Sequence, residues 1–233
     1  MKIRIILPNS SPELIKDRIE DRRSIIGKDT EIDMVCLPRG PVSVENATDE
    51  ARAIPYILDE IKKAEEEGYD AVTIDCAIDP FPRAIKETAS IPVVIGGEAS
   101  RLVAAALGDR FSVITILPSA AELIRHNVEA SGMGSRLASV RAIDIPVLQL
   151  LDHDKAKEAI LREARKAVEE DGAHVIILGC AGMSPVLEEI QQRLGVPVID
   201  PGGAAAKMAE LLVSMNLSQS KKCFPLPPPK EIR

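Results

Sequence analysis

Short runs of aliphatic and β-branched residues alternate along this chain with longer stretches whose apolar residues recur at helical spacing. The runs 2–7, 31–36, 70–76, 92–96, 111–117, 138–143, 173–179 and 196–199 are nearly all apolar. A strand buried on both faces reads this way, whereas a half-exposed strand alternates. Between them lie charged amphipathic stretches such as 57–67 and 154–170. Regular alternation of the two patterns predicts βαβ units and parallel sheets. Pro55 falls inside an otherwise helical stretch and predicts a helix start or a kink there.

The pattern occurs twice. Ile-Arg-Ile-Ile-Leu-Pro-Asn at 3–9 returns as Val-Ile-Thr-Ile-Leu-Pro-Ser at 113–119. Glu-Glu-Glu-Gly-Tyr-Asp-Ala-Val-Thr-Ile-Asp-Cys-Ala at 65–77 returns as Glu-Glu-Asp-Gly-Ala-His-Val-Ile-Ile-Leu-Gly-Cys-Ala at 169–181. Ile-Pro-Val-Val at 91–94 returns as Val-Pro-Val-Ile at 196–199. All βαβ units look somewhat alike, but three recurrences at similar offsets favour a duplicated unit. The expected fold class is α/β: two pseudo-symmetric, Rossmann-like halves with parallel sheets and a site in the cleft between them. The first half is expected over 1–105, completed by a helix at 203–216, and the second over 106–202. Residues 217–233, rich in Ser, Lys and Pro, are expected to form an extended tail.

Composition narrows the function. With 45% hydrophobic residues in 233, the chain can bury a core. Its 36 acidic against 29 basic residues leave it without the electrostatic footprint for nucleic acid. With 3 Phe, 2 Tyr and no Trp, base-stacking platforms are excluded. The opening apolar run is too short and too charged for a signal-peptide core, and no run of about 20 apolar residues suggests a membrane span. The four cysteines form no Cys-x-x-Cys pair, so the expected setting is the reducing cytoplasm. His126, His153 and His174 lack metal spacing, and no Gly-x-Gly-x-x-Gly run follows a strand. No metal and no cofactor is expected. The expected partner is a small-molecule substrate, with a homo-oligomer open.

Cys76 and Cys180 occupy matching places in the repeat, each just past a strand and before a turn and a helical pattern. Ligands of open parallel sheets bind outside the carboxyl ends of strands. A thiol there meets free backbone N–H groups and a helix dipole, both of which favour thiolate. Facing halves would aim the two sulfurs at one cleft from opposite sides. One thiolate can then remove a proton from one face of a carbon while the other thiol delivers a proton to the opposite face. That is racemisation or epimerisation without a cofactor. The plain alternative is that cysteines are small buried hydrophobes; matched positions weigh against it here. Cys36 has no partner in the repeat and reads as core or pocket wall, and Cys223 lies in the tail.

Gly-Cys-Ala-Gly-Met at 179–183 resembles the second cysteine motif of hydantoin racemases in the aspartate/glutamate racemase superfamily. Leu-Pro-Asn-Ser at 7–10, Arg-Gly-Pro-Val-Ser-Val-Glu at 39–45 and Asp-Cys-Ala-Ile-Asp-Pro at 75–80 are similar to further segments of that family. The resemblance covers about residues 1–215 and implies Cys76 and Cys180 as catalytic residues. The chain departs from it at Ala77-Ile78, where the family has Phe-Gly, so Ile78 changes the lining beside the first cysteine. Amino-acid racemases of the superfamily carry Asn-Thr or Thr after their cysteines, which grip a free α-carboxylate. Ala77 and Ala181 stand in those places, which suits a neutral ring such as a hydantoin or allantoin.

Asn9 and Ser10 follow the first strand and are expected to line the cleft mouth, as ligand contacts or as a turn and helix cap. The resemblance points to Ser43 as a ligand contact. Gly182 and Met183 sit in the turn after Cys180, and the Gly182 N–H is a candidate oxyanion donor. Asp75 is expected to turn to the other face and hydrogen-bond at the sheet end. The rivals are an aspartate or glutamate racemase, another isomerase or decarboxylase of the superfamily, and a two-lobed ligand-binding module without chemistry. Superfamily decarboxylases use a single cysteine, and a binding module has no need of paired thiols.

Overall fold

The computed structural model describes residues 1–228; the end of the expected tail, 229–233, lies outside the described residues. The first half runs β1 (Lys2–Leu7), α1 (Ile15–Ile25), β2 (Glu31–Cys36), α2 (Ala47–Glu66), β3 (Ala71–Ile74), α3 (Pro82–Thr88), β4 (Val93–Ile95) and α4 (Gly96–Leu107). The second runs β5 (Phe111–Thr115), α5 (Pro118–Ala130), β6 (Leu137–Ala142), α6 (His153–Glu169), β7 (Val175–Leu178), α7 (Leu187–Leu194) and β8 (Val198–Ile199). The sheets have the same order, β2-β1-β3-β4 and β6-β5-β7-β8, and all their pairings are parallel. The two α/β halves are thus topological copies. Their inner strands β1, β3, β5 and β7 are buried on both faces, as their uninterrupted apolar runs require.

β3 and β7 stop short of the cysteines. After Ile74 the chain turns sharply, and the Cys76 N–H donates to Ile74 O at 2.9 Å instead of continuing the ladder. α2 rules out the helix start expected at Pro55. The helix starts well before it, at an Asn46 cap whose Oδ1 accepts from the Thr48 and Asp49 N–H groups at 3.0 and 3.1 Å. It then runs through Pro55, which lies on the exposed side while Ala53, Ile57, Ile61 and Ala64 are buried. The apolar stripe holds the helix together across the missing donor.

One apolar cluster runs through both halves, from Ile6, Ile57 and Ile74 to Phe111, Ile114 and Ile177. α8 (Pro201–Ser214) leaves the second sheet and packs on α4 and β3, with Ala205 and Ala209 against Ile3, Ala71 and Val94. The segment after it is pinned to the first half. The Gln219 side chain donates to Ala89 O and Ile91 O, both at 2.9 Å, and accepts from the Val93 N–H at 3.1 Å. Among the described residues no helix is long and apolar enough to cross a membrane.

Candidate active site

Equivalent strand ends bring Cys76 and Cys180 to one place. Both line a single narrow cleft between the halves, with an open volume of about 30 Å3. That is space for a couple of water molecules. Asn9, Val44 and Ile78 form its first-half side, and Ile116, Val147 and Ala181 its second-half side. A larger groove of about 640 Å3 lies between α1, α7 and α8, but neither thiol reaches it.

The two sulfurs are held alike. The Gly182 N–H donates to Cys180 Sγ at 3.4 Å. At Cys76 the backbone of Ile78, again two residues on, favours the thiolate. The sequence predicted lowered thiol pKa values from such donors, and the structure corrects that. Burial dominates at both sites and pushes both thiols up. Their surroundings then separate them. Cys76 is pushed further by Asp79, Cys180 and Glu50; at Cys180, Arg18 pulls the thiol down while Asp75 and Glu45 push it up.

Asp79 and Glu50 lie beneath Cys76. Asp79 takes a left-handed backbone with φ of 59°, and its carboxylate accepts from Arg101 Nη1 at 2.6 Å and from the Glu98 N–H at 2.9 Å. The start of α4 presses against this turn so closely that a side chain on Gly97 would overlap Ala77 O. Glu50, 7% exposed, has a buried Oε1 with no hydrogen-bond partner among the described residues. Burial, then repulsion from Asp79, pushes its carboxyl up to about 7.

Asp75 lines the cleft and is also tied to the sheet end, through a buried Arg22 at 3.2 Å. The same Arg22 reaches Asp200, the cap residue of α8, at 2.6 Å. Burial first, then repulsion from Asp75, raises Asp200 to about 6 against the pull of Arg22.

The remaining sequence candidates separate. Asn9 lines the cleft while its Oδ1 accepts from the Ser11 N–H at 3.1 Å, so it serves turn and cleft together. Ile78 is on the wall, 2% exposed. Gly182 lies beside the Cys180 sulfur. Ser10 is spent on the neighbouring loop, where its Oγ donates to Gly40 O and Pro41 O. The Ser43 hydroxyl donates to Glu45 Oε1 at 3.1 Å and is not on the cleft wall. Met183 points into the core, 1% exposed, because the turn after Cys180 winds as a 3-10 helix that buries it. Arg18, Arg22 and Glu50 were not singled out by the sequence. They sit on charged helices and belong to no motif. The available signal was register: Arg18 and Arg22 are one turn apart and share the inner side of α1 with the packed Ile15 and Ile19.

Among the described residues no three His, Cys, Asp or Glu side chains cluster as metal ligands. Two parallel α/β halves with equivalent cysteines in the cleft between them are an architecture shared with known racemases. The Asp/Glu/Hydantoin racemase family profile matches residues 3–209. A hydantoin racemase from Pseudomonas sp. (strain NS671) is 39% identical over 99% of this chain and 94% of its own. The allantoin racemase from Klebsiella pneumoniae superposes with a TM-score of 0.95 at 34% identity, covering 100% of this chain and 96% of that one. That from Pseudomonas fluorescens does so at 0.95 and 35%, covering 100% of both. This chain belongs to the Asp/Glu/Hydantoin racemase family, and it is an isomerase of the racemase type.

Proposed function

We propose that the protein racemises 5-monosubstituted hydantoins, or a related cyclic ureide such as allantoin, without a cofactor, using Cys76 and Cys180 as opposed acid and base. The observation that carries this reading is the pair of cysteines at equivalent strand ends lining one cleft. The hydantoin and allantoin racemases named above support the substrate class. So do Ala77 and Ala181, which place no side-chain grip for an α-carboxylate beside either sulfur.

The C5–H of a hydantoin lies beside a ring carbonyl, so its removal gives an enolate. One sulfur, as thiolate, takes that proton and becomes a thiol. The other thiol gives its proton to C5 from the opposite face and becomes the thiolate. The turnover inverts the carbon and exchanges the protonation states of the two sulfurs. Raised thiol pKa values suit this step, because a thiolate kept basic by burial is a stronger base toward a weak carbon acid. The Gly182 N–H and its counterpart at Ile78 hold each sulfur in place.

The test is incubation in deuterated water with single enantiomers of a 5-alkylhydantoin, allantoin, aspartate and glutamate, with and without a chelator. Loss of optical rotation with deuterium at C5 is expected for the cyclic ureides, chelator or not. Exchange confined to the amino acids, or absent throughout, would contradict the reading.

A further inference from the structure

Four arginines of this protein are buried: Arg4, Arg18, Arg22 and Arg101. Three are ion-paired, Arg4 with Asp33 and Glu67, Arg22 with Asp75 and Asp200, and Arg101 with Asp79. Arg18, 6% exposed, has no carboxylate partner among the described residues, and it lines the cleft. Its place in the cleft is fixed by Gly182. A Cβ on that glycine would lie 3.5 Å from Arg18 Nη2 and 3.6 Å from Cys180 Sγ. The guanidinium and the sulfur thus flank one short piece of backbone.

A mostly buried guanidinium that lines a narrow cleft and has no carboxylate paired to it among the described residues is a ready site for a bound anion. A carboxylate meets its planar fork with two parallel hydrogen bonds, which a neutral carbonyl cannot match in charge. The reacting carbon sits between the two sulfurs, where Ala77 and Ala181 offer no grip, so the anion belongs to the substituent and not to the ring. We infer that Arg18 selects hydantoins whose C5 substituent carries a carboxylate, and that it seats this carboxylate on the Cys180 side of the cleft. This rests on the racemase reading above and narrows its substrate class.

The probes are hydantoin-5-acetic acid and its carboxamide, which differ little in shape but by one charge. Turnover and calorimetric binding are measured at pH 7.5 for the native protein, Arg18→Gln and Arg18→Lys, with circular dichroism as the check on folding. The native protein should prefer the acid by roughly 10–100-fold in kcat/KM and in affinity. Arg18→Gln should bring that ratio near one. Arg18→Lys, a charge without the fork, should keep part of it. A native protein that does not distinguish the probes overturns the assignment, and so does Arg18→Gln with the ratio intact. An equal loss on both probes also overturns it, and makes Arg18 a support for the Cys180 thiolate. Should Arg18→Gln fail to fold, the native ratio and Arg18→Lys decide. Acid-selective binding without racemisation would remove the two-cysteine reading and leave Arg18 as the anion site. Racemisation without selectivity would do the reverse.

Discussion

Burial in the narrow cleft raises both Cys76 and Cys180, and a thiolate raised in this way would be the stronger base that the proposed reaction needs. Glu50 shows the same force on a carboxyl, raised by burial from 4.5 to about 7. A carboxyl whose pKa is raised by folding stabilises the folded state while it is protonated. That contribution is full below about pH 4.5 and is lost as the pH rises toward 7. Glu50→Gln keeps the shape and removes the titration. Its stability advantage over the native chain should therefore grow by about 3 kcal/mol between pH 4 and pH 8, read from urea unfolding. Parallel pH curves would show that Glu50 does not titrate as a buried acid. The cysteines were legible in the sequence because duplication put each in the same phrase. Glu50 was not, because the first turn of α2 is rich in acids that suit any helix N-terminus, and only the packed structure shows which one is buried.

At the scale of elements, the strands were legible because β-branched runs buried on both faces have few alternatives. The start of α2 was not, because the proline signal was read without the stronger Asn46 cap upstream. The join between α1, β3 and α8 could not be read either, since it depends on three segments far apart in the chain. Arg22 ties Asp75 to Asp200 there, and Gly202 leaves the room: a side chain on it would overlap Asp75 Oδ1 and Arg22 Nη2. Gly202→Ala should destabilise by about 2–3 kcal/mol through this overlap. Arg22→Met should cost about 3–5 kcal/mol near pH 8, since it strands two buried carboxylates. Its cost should shrink toward pH 5, where Asp200, already raised to about 6, takes up a proton. Denaturant unfolding at the two pH values checks both variants. A pH-independent loss in Arg22→Met would mean that the carboxylates are not what the arginine compensates.

At the scale of the whole molecule, the two halves share one core and are also joined at the cleft. Glu45 bridges them beside the cleft: its carboxylate accepts from the Val147 N–H at 2.8 Å, and its backbone carbonyl accepts from Ser119 Oγ at 2.8 Å. Glu45→Ala should speed hydrogen exchange at the Val147 amide by about 10–100-fold, the worth of one charge-assisted bond. Unchanged exchange would show that the Glu45 carboxylate does not hold this part of the second half in place. The opposed thiols themselves are tested most directly by solvent exchange in Cys76→Ser and Cys180→Ser. Serine is too weak an acid to relay the proton, so each variant should lose net racemisation by at least 10²–10⁴-fold. The remaining thiolate can still remove and return a proton on its own face. In deuterated water each variant should therefore exchange C5–H of one hydantoin enantiomer only, and the two should choose opposite enantiomers. Exchange of the same enantiomer by both, or normal racemisation by either folded variant, would contradict a site built from two opposed cysteines.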